Sequence, residues 1–269
     1  MELSRKIDFA KKLIESAAEQ ASKDGEPLEL AYSGGKDSDV MLYIAQQVLG
    51  NDFVAIYKNT TIDPRGTIMH ALSKGVEVRN PKKSFRQLIE DGGFPSRNAR
   101  FCCRILKEYK IHKHALMGIR SEESSKRANY EPQECRKGKV KAYYPLLYFS
   151  KDDIATFADR VRFHPLYYDA DGTFHPERRL GCMGCPLASA KKRIQQFQAN
   201  PALLRIWLRA GKVYLQTHPD SESAIKFADV YELFANSFYN SSDWKTGFFG
   251  VDAKKMLAGV FGEENIKIG

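Results

Sequence analysis

The stretch Leu30-Ala31-Tyr32-Ser33-Gly34-Gly35-Lys36-Asp37-Ser38 joins an apolar, strand-like segment, Leu28 to Tyr32, to a helical pattern running from Asp37 to Leu49. Two glycines at the junction let the backbone turn sharply and lie close to a ligand. Ser33 and Ser38 add hydroxyls and Lys36 adds a positive charge. A helix that opens here presents N–H groups without intrahelical partners, a setting that favours an anion and phosphate above all. The spacing is not that of the Walker loop, G-x-x-x-x-G-K-[ST]. The stretch therefore predicts a strand, a phosphate-directed loop and a helix, with Ser33, Gly34, Gly35, Lys36, Asp37 and Ser38 as candidate phosphate-binding residues. Asp37 is also a candidate magnesium partner, although an acid in the first turn of a helix is favoured by the helix dipole alone.

Outward from the loop, residues 4–23 read as an amphipathic helix closed by Lys23-Asp24-Gly25-Glu26-Pro27. Phe53 to Tyr57 reads as a second strand, and strand–helix–strand in this order implies a parallel crossover. Asn59-Thr60-Thr61 follows at its carboxyl end, where ligands gather in open α/β sheets. Asp63-Pro64 resembles the cap and first residue of a helix reaching Lys74. A short strand at Val76–Val78, helices at Ser84–Glu90 and Cys102–Lys110, and a strand at His114–Ile119 complete the pattern. Residues 126–139 are polar and read as a loop. Ser150 caps a helix over Lys151–Arg160, and a further helix begins near Pro186 and runs to Gln198. The remainder has helical periodicity, so the chain divides into a domain at 1–198 and a helical extension at 199–269.

Composition is that of a soluble chain, at 43% hydrophobic and 28% charged, and no apolar run is long enough for a transmembrane helix. The N-terminus leads into the amphipathic stretch and lacks the apolar core of a signal peptide, so the expected location is cytoplasmic and no membrane partner is expected. The net charge of +9 suits anionic partners, nucleotides or a nucleic acid, and equally a solvated basic surface. Basic residues cluster at 97–113, 126–141 and 178–193.

There are five cysteines, Cys102, Cys103, Cys135, Cys182 and Cys185. An odd count without a secretory signal argues against a disulfide framework and toward metal or redox chemistry. Cys102-Cys103 and Cys182-x-x-Cys185 together supply four thiolates, enough for one tetrahedral zinc site or a 4Fe–4S cluster; unmetallated thiols or a dithiol remain the third reading. Zinc ligands are usually spaced by two or more residues, whereas a cubane offers adjacent cysteines separate iron corners. The six histidines form no ligand set. His70 falls in a predicted helix and could face the nucleotide.

The string S-G-G-K-D-S resembles the signature of the PP-loop superfamily, and the chain is similar to its adenylyl sulfate (APS) and phosphoadenylyl sulfate (PAPS) reductase family. Several residues carry the likeness beyond the loop: the two cysteine pairs, Gly118-Ile119-Arg120 with Glu123-Ser124, Tyr144-Pro145-Leu146, His164-Pro165-Leu166-Tyr167 and Arg179-Leu180-Gly181-Cys182. It spans roughly residues 28–190. The resemblance implies an α/β fold of the adenine nucleotide α-hydrolase type, with a mostly parallel twisted sheet flanked by helices. It implies an adenine nucleotide (ATP, APS or PAPS) at the loop and a 4Fe–4S cluster on Cys102, Cys103, Cys182 and Cys185. Lys107 would stand between cluster and substrate, Arg120 would face the anionic substrate, and Lys36, Lys107 and Arg120 would carry the chemistry. A thiol donor protein would be a partner.

The chain departs from the family in two ways. No cysteine follows Cys185, where family reductases carry the attacking thiol on an E-C-G-L-H tail. The intact loop resembles instead the members that cleave ATP between its α and β phosphates, such as the small subunit of ATP sulfurylase and the DNA phosphorothioation protein. Three functions follow as expectations: an enzyme acting on an adenylated sulfur substrate, an ATP-cleaving enzyme that adenylates an acceptor for sulfur insertion, with nucleic acid a candidate acceptor, and a nucleotide-binding partner protein without turnover. The electron donor and oligomeric state are not legible here.

Overall fold

The computed structural model describes residues 1–136, 138–238 and 252–268. Helix α1 (Leu3–Lys23) precedes β1 (Leu28–Tyr32), α2 (Lys36–Leu49), β2 (Val54–Lys58), α3 (Thr67–Ser73), β3 (Glu77–Arg79), α4 (Phe85–Gly92), α5 (Phe101–Leu106) and β4 (His114–Met117). There follow α6 (Ser125–Ala128), β5 (Gln133–Arg136), β6 (Val140–Tyr143), α7 (Lys151–Ala155), α8 (Ala190–Ala199), α9 (Pro201–Thr217), α10 (Glu222–Lys226), α11 (Val230–Phe238), α12 (Ala253–Phe261) and α13 (Glu263–Ile266). The helical reading of the C-terminal remainder includes 239–251, which lie outside the described residues.

The strands form one sheet in the order β3-β2-β1-β4-β6-β5. All neighbours are parallel except β5 and β6. The expected mostly parallel sheet flanked by helices is therefore the fold. From β1 the chain steps to β2 and β3 on one side, then returns to β4 on the other. That reversal falls between β1 and β4, and in such sheets ligands bind outside the carboxyl ends of the strands at this point. Register pairs Ala31 with both Ile56 and Met117, so the loops leaving β1 and β4 start side by side.

Contacts group the residues into two compact units. The first comprises Met1–Asn59, Asp63–Asn80 and Glu108–Gly181; the second comprises Thr60–Ile62, Pro81–Lys107 and Cys182–Gly269. These bounds interleave along the chain, where the sequence reading draws a single boundary at residue 198. The core of the first unit packs α1 (Ala10, Ile14, Ala17) and α2 (Val40, Met41, Ile44) on β1 and its neighbours. The second is built on aromatic side chains, with Trp207 of α9 set against Phe85, Phe94, Phe197 and Phe238.

Several elements differ from expectation, among them α5, which ends at Leu106 where the sequence pattern continues to Lys110. α3 starts at Thr67 rather than Asp63, because Gly66 adopts φ +86° and interrupts the helical run; the Asp63 carboxylate accepts instead from the Tyr57 hydroxyl at 2.6 Å. The polar stretch 126–139 contains α6, capped by Ser124, and the edge strand β5. α7 stops at Ala155 and continues as turns to Arg160. Among the described residues no helix is long and apolar enough to cross a membrane.

Candidate functional site

Tyr32 closes β1 and the chain turns through Gly34 at φ +76°, a left-handed conformation that glycine adopts without penalty. A Cβ on Gly34 would lie 2.7 Å from Thr67 Cγ2, so α3 could not seat on the loop with any larger residue there. Gly35 is the N-cap of α2 and has no side chain to cap the first turn. The loop braces itself through Ser38, whose hydroxyl donates to the Gly35 carbonyl at 2.7 Å and accepts from the Ser33 N–H at 3.3 Å. The Ser33 hydroxyl lies 3.1 Å from that of Ser38.

Two cations converge on the start of α2. Lys36 is 3% exposed and its ammonium lies 3.4 Å from Asp37 Oδ2. Arg120, also 3% exposed, donates from Nε to Asp37 Oδ1 at 2.7 Å and from a terminal nitrogen to Glu122 at 3.1 Å. Gly118, just past β4, lies against the start of α2, where a Cβ would be in van der Waals contact with the Asp37 backbone at 3.4 Å. Burial opposes the Arg120 charge, but the carboxylates of Asp37 and Glu122 outweigh it and hold the guanidinium above its ordinary value. The Arg120 N–H donates to Glu123 at 3.2 Å, and Glu123 also takes Arg127 and Arg179. A pair of buried guanidinium and ammonium groups sharing one partly exposed carboxylate can exchange that carboxylate for a polyanion.

Behind the loop sits a buried polar cluster that the spacing of the sequence does not announce. Asp39, in the first turn of α2, accepts from the Tyr32 hydroxyl at 2.5 Å and lies 2.9 and 3.0 Å from His70 Nε2. Burial first, then the Asp39 charge, push the Tyr32 phenol above its ordinary value. His70, which could have faced the nucleotide, is thus turned to Asp39, with the His164 ring edge-on at 5.4 Å. On the other side of β1, Glu29 is fully buried and receives Lys58 at 3.2 Å and the His112 N–H at 2.9 Å. Burial lowers the Lys58 ammonium while Glu29 opposes that shift. A charged residue inside an apolar strand pattern was the available signal for this pair.

The cysteines Cys102, Cys103, Cys182 and Cys185 all belong to the second unit. Cys102 is buried on α5, and Cys103 beside it is half-buried. The Cys102 thiol is pushed well above its ordinary range, first by its hydrogen bond with Cys103, then by burial and by negative charge at Cys103 and Cys182. Cys182-Met183-Gly184-Cys185 is a pinned turn. The Met183 N–H donates to the Ile62 carbonyl at 2.9 Å and the Gly184 N–H to Gln196 Oε1 at 2.9 Å. Gly184 has φ +72°, and a Cβ there would meet Phe197 at 2.8 Å and Trp207 at 3.0 Å. The Cys182 thiol donates to Thr60 Oγ1 at 3.5 Å. Around Arg193, burial and Arg97 lower the guanidinium while Cys185 raises it, which sets Cys185 beside cationic side chains. Among the described residues no three His, Cys, Asp or Glu side chains are arranged to hold one metal ion. The donor set nonetheless fits a thiophilic cation, because adjacent thiols that disfavour one another's ionisation are relieved by added positive charge. Lys107 is exposed just past α5, its N–H donating to the Cys103 carbonyl at 2.9 Å. Cys135 is exposed on β5 in the first unit.

Comparison with known proteins gives three findings. Residues 27–188 match the phosphoadenosine phosphosulfate reductase domain family. Two uncharacterized proteins of Methanocaldococcus jannaschii are similar: MJ0066, 24% identical over 220 residues (74% of this chain, 44% of the relative), and MJ0973, 26% identical over 214 residues (73% and 50%). The chain thus spans about half the length of the curated relatives it matches. Among solved structures, the U34-tRNA thiolase NcsA from Methanococcus maripaludis with its 4Fe–4S cluster aligns over 79% of each chain at 16% identity and a TM-score of 0.39. The NH3-dependent NAD synthetase from Campylobacter jejuni in complex with nitrate aligns over 81% of this chain and 96% of its own at 13% identity and a TM-score of 0.44. At such distance neither neighbour carries a functional argument.

Proposed function

The chain belongs to the phosphoadenosine phosphosulfate reductase domain family, and from that premise we propose that it is an enzyme that binds an adenine nucleotide by its phosphates at Ser33–Ser38 and acts on an adenylated sulfur substrate. One observation carries the reading: buried Lys36 and Arg120, from the ends of neighbouring strands, meet on Asp37 at the start of α2, whose N-cap Gly35 has no side chain. A phosphate chain would take over both cations from Asp37, and the first-turn amides of α2 would add to its binding. In this reading Lys36 and Arg120 stabilise the charge that develops when the phosphate-linked bond breaks, so catalysis rests on positioning and electrostatics. Asp37, released from its cations, would be free to bind magnesium.

Cys102, Cys103, Cys182 and Cys185 would hold a 4Fe–4S cluster, with zinc as the alternative occupant of the same thiolates. When bound, such a group would supply positive charge to the four thiolates and, for the cluster, a store for electrons. Lys107, just past α5 and Cys103, would be a further catalytic cation. Reduction of sulfate to sulfite takes two electrons, which a thiol donor protein supplies as two of its thiols close into a disulfide.

A second reading is favoured by the intact loop and by charge. The segments 92–107 and 182–219 contain no Asp or Glu, while Arg97, Arg100, Arg104, Lys191 and Arg209 are exposed on them. That distribution supports an enzyme that cleaves ATP between the α and β phosphates and adenylates an acceptor carried on a nucleic acid. The experiment pairs two assays on the full chain: thiol-dependent sulfite release from APS and PAPS, and ATP–pyrophosphate exchange in magnesium. Sulfite release supports the first reading, exchange the second. Lys36→Ala is expected to weaken ATP binding on the order of 10–100-fold, from loss of charge-assisted contacts. Equal ATP binding by wild type and Lys36→Ala would overturn the nucleotide site itself.

A further inference from the structure

Tyr167 lies within the first unit and has no part in the reading above. It comes from a tight turn, Pro165–Tyr167, in which His164 Nδ1 accepts from the Leu166 N–H at 3.1 Å. Its backbone is fully engaged, the N–H donating to the His164 carbonyl at 2.9 Å and the carbonyl accepting from His175 at 2.7 Å. The ring is wedged beside Phe163 and Phe174, and the residue is 2% exposed. This rigid mount delivers one polar atom, the phenol oxygen, to the phosphate-directed loop.

That oxygen accepts the Lys36 N–H at 3.2 Å and the Leu180 N–H at 3.3 Å. A phenol offers an acceptor oxygen and one proton to donate. Two amides already occupy the oxygen, and among the described residues the proton has no acceptor. Buried donors in folded proteins nearly always find a partner, so an unused one marks a place where something else binds. Its surroundings say what. The Lys36 ammonium stands 5.5 Å from the centre of the Tyr167 ring. A Cβ on Gly35 would lie 3.4 Å from both the Tyr167 hydroxyl and the Ser33 hydroxyl, so these two hydroxyls flank a glycine backbone with no side chain between them. An ammonium, the Tyr167 hydroxyl and the start of a helix whose N-cap, Gly35, has no side chain are donors, and the ligand they call for is an anion.

We propose that Tyr167 is a ligand-binding residue of this site, donating its phenol proton to a phosphate oxygen of the bound nucleotide while its oxygen keeps the Lys36 and Leu180 amides in place. The assignment rests on the nucleotide reading of the loop. It makes the phenol a two-way connector: the amides polarise the O–H, and the O–H meets the charge. A tyrosine that merely capped α2 would need only its acceptor oxygen.

The experiment measures binding of inorganic pyrophosphate by calorimetry to the full chain in three forms: wild type, Tyr167→Phe, and protein with 3,5-difluorotyrosine at position 167. Fluorination makes the phenol more acidic, so its ionisation can be followed by absorbance while affinity is compared with wild type at each pH. The expected results are an affinity lowered by roughly 10–100-fold in Tyr167→Phe, and an affinity of the fluorinated protein that falls relative to wild type as its phenol ionises, since a phenolate cannot donate and repels the ligand. Ionisation repels the ligand whichever role the phenol has, so the deciding comparison is made below it: the fluorinated, still protonated phenol is the stronger donor and the weaker acceptor, and it binds pyrophosphate more tightly than wild type if it donates to the ligand, but no more tightly if it only caps the loop. Unchanged affinity in Tyr167→Phe, or an affinity of the protonated fluorinated protein no higher than wild type's, overturns the assignment, and the fluorinated protein alone decides if Tyr167→Phe does not fold. Wild type that binds neither pyrophosphate nor ATP brings down the nucleotide site as a whole, which is a distinct result from wild-type binding that Tyr167→Phe retains.

Discussion

His164 is 1% exposed and accepts from Leu166 at Nδ1, while Nε2 lies against the Arg65 and Gly66 backbone without a well-aligned hydrogen bond. Because Nδ1 is an acceptor, the ring proton belongs on Nε2, and a second proton would place a charge in a buried site. Burial first, then the neighbouring His70, lower its pKa to about 4 from 6.5, against a smaller opposing contribution from the Arg65 backbone. As pH falls below 6.5 the unfolded chain takes up a proton that the folded chain refuses until about 4. Stability from this residue is therefore complete above 6.5 and lost as pH falls through that window, by as much as about 3 kcal/mol. Asp24 acts in a separate range: Lys113, His114 and Lys141 hold its carboxyl below the usual carboxylate values, so its contribution is lost only at lower pH. Urea unfolding at successive pH values should show the loss in wild type and a flatter profile in His164→Asn, whose side-chain oxygen can still accept from Leu166. An identical slope in the variant would contradict a buried neutral histidine. The motif His164-Pro165-Leu166-Tyr167 stood out by resemblance, but nothing in a linear string says which ring nitrogen accepts, or that the tyrosine reaches the loop.

At the level of elements, the β1–α2 loop and α3 depend on each other. Gly34→Ala would impose a left-handed alanine, costing about 1–2 kcal/mol, and would drive Cβ into Thr67 Cγ2, adding ~1 kcal/mol or more of overpacking. Thr67→Ser removes that methyl and retains the hydroxyl that donates to the Pro64 carbonyl at 2.8 Å. Combining the two should recover the overpacking and leave the backbone cost, so a double-mutant cycle is expected to return a coupling of about 1 kcal/mol. Strict additivity would mean that the loop moves away from α3 at no cost. These elements were read with uneven success, for physical reasons. β1, α2 and β2 are buried and apolar, and their periodicity is plain. β5 is a polar, mostly exposed edge strand held only by β6, and such a strand has no hydrophobic alternation to read. The start of α3 lies four residues past Asp63 because Asp-Pro is a sound local signal that Gly66 overrules. The capping of α4 by Ser84 and Gln87 was accessible from the Ser-x-x-Gln spacing.

Across the whole chain, the paired cysteines test whether resemblance has been read correctly. Protein purified without oxygen is expected to absorb near 400 nm and to contain about four irons and four sulfides per chain; one zinc without iron identifies the alternative. Cys102→Ser and Cys185→Ser should each lose the bound metal, as read by iron, sulfide and zinc analysis. Stoichiometric reaction of all five cysteines with a thiol reagent in the purified native protein would argue against any bound metal. Linking the two pairs was possible from sequence only through the family likeness. The aromatic framework that surrounds them was not, because Phe85, Phe94, Phe197 and Trp207 come from distant segments and no local pattern connects them.

The interleaving of the two units also sets an order in time. α4 and the segment bearing Phe94 are covered by α9, through Phe85 and Phe94 against Trp207, and α9 is made long after them. At ribosomal elongation rates this leaves an interval of roughly ten seconds in which residues 81–107 have emerged without the helix that buries them. The sheet, complete by Tyr143, can assemble during that interval, while Cys102 and Cys103 wait as open thiols for partners still to be translated. A metal held on the four cysteines would thus be inserted only at the end of biosynthesis, and a chaperone that shields the nascent 81–107 segment would act before it.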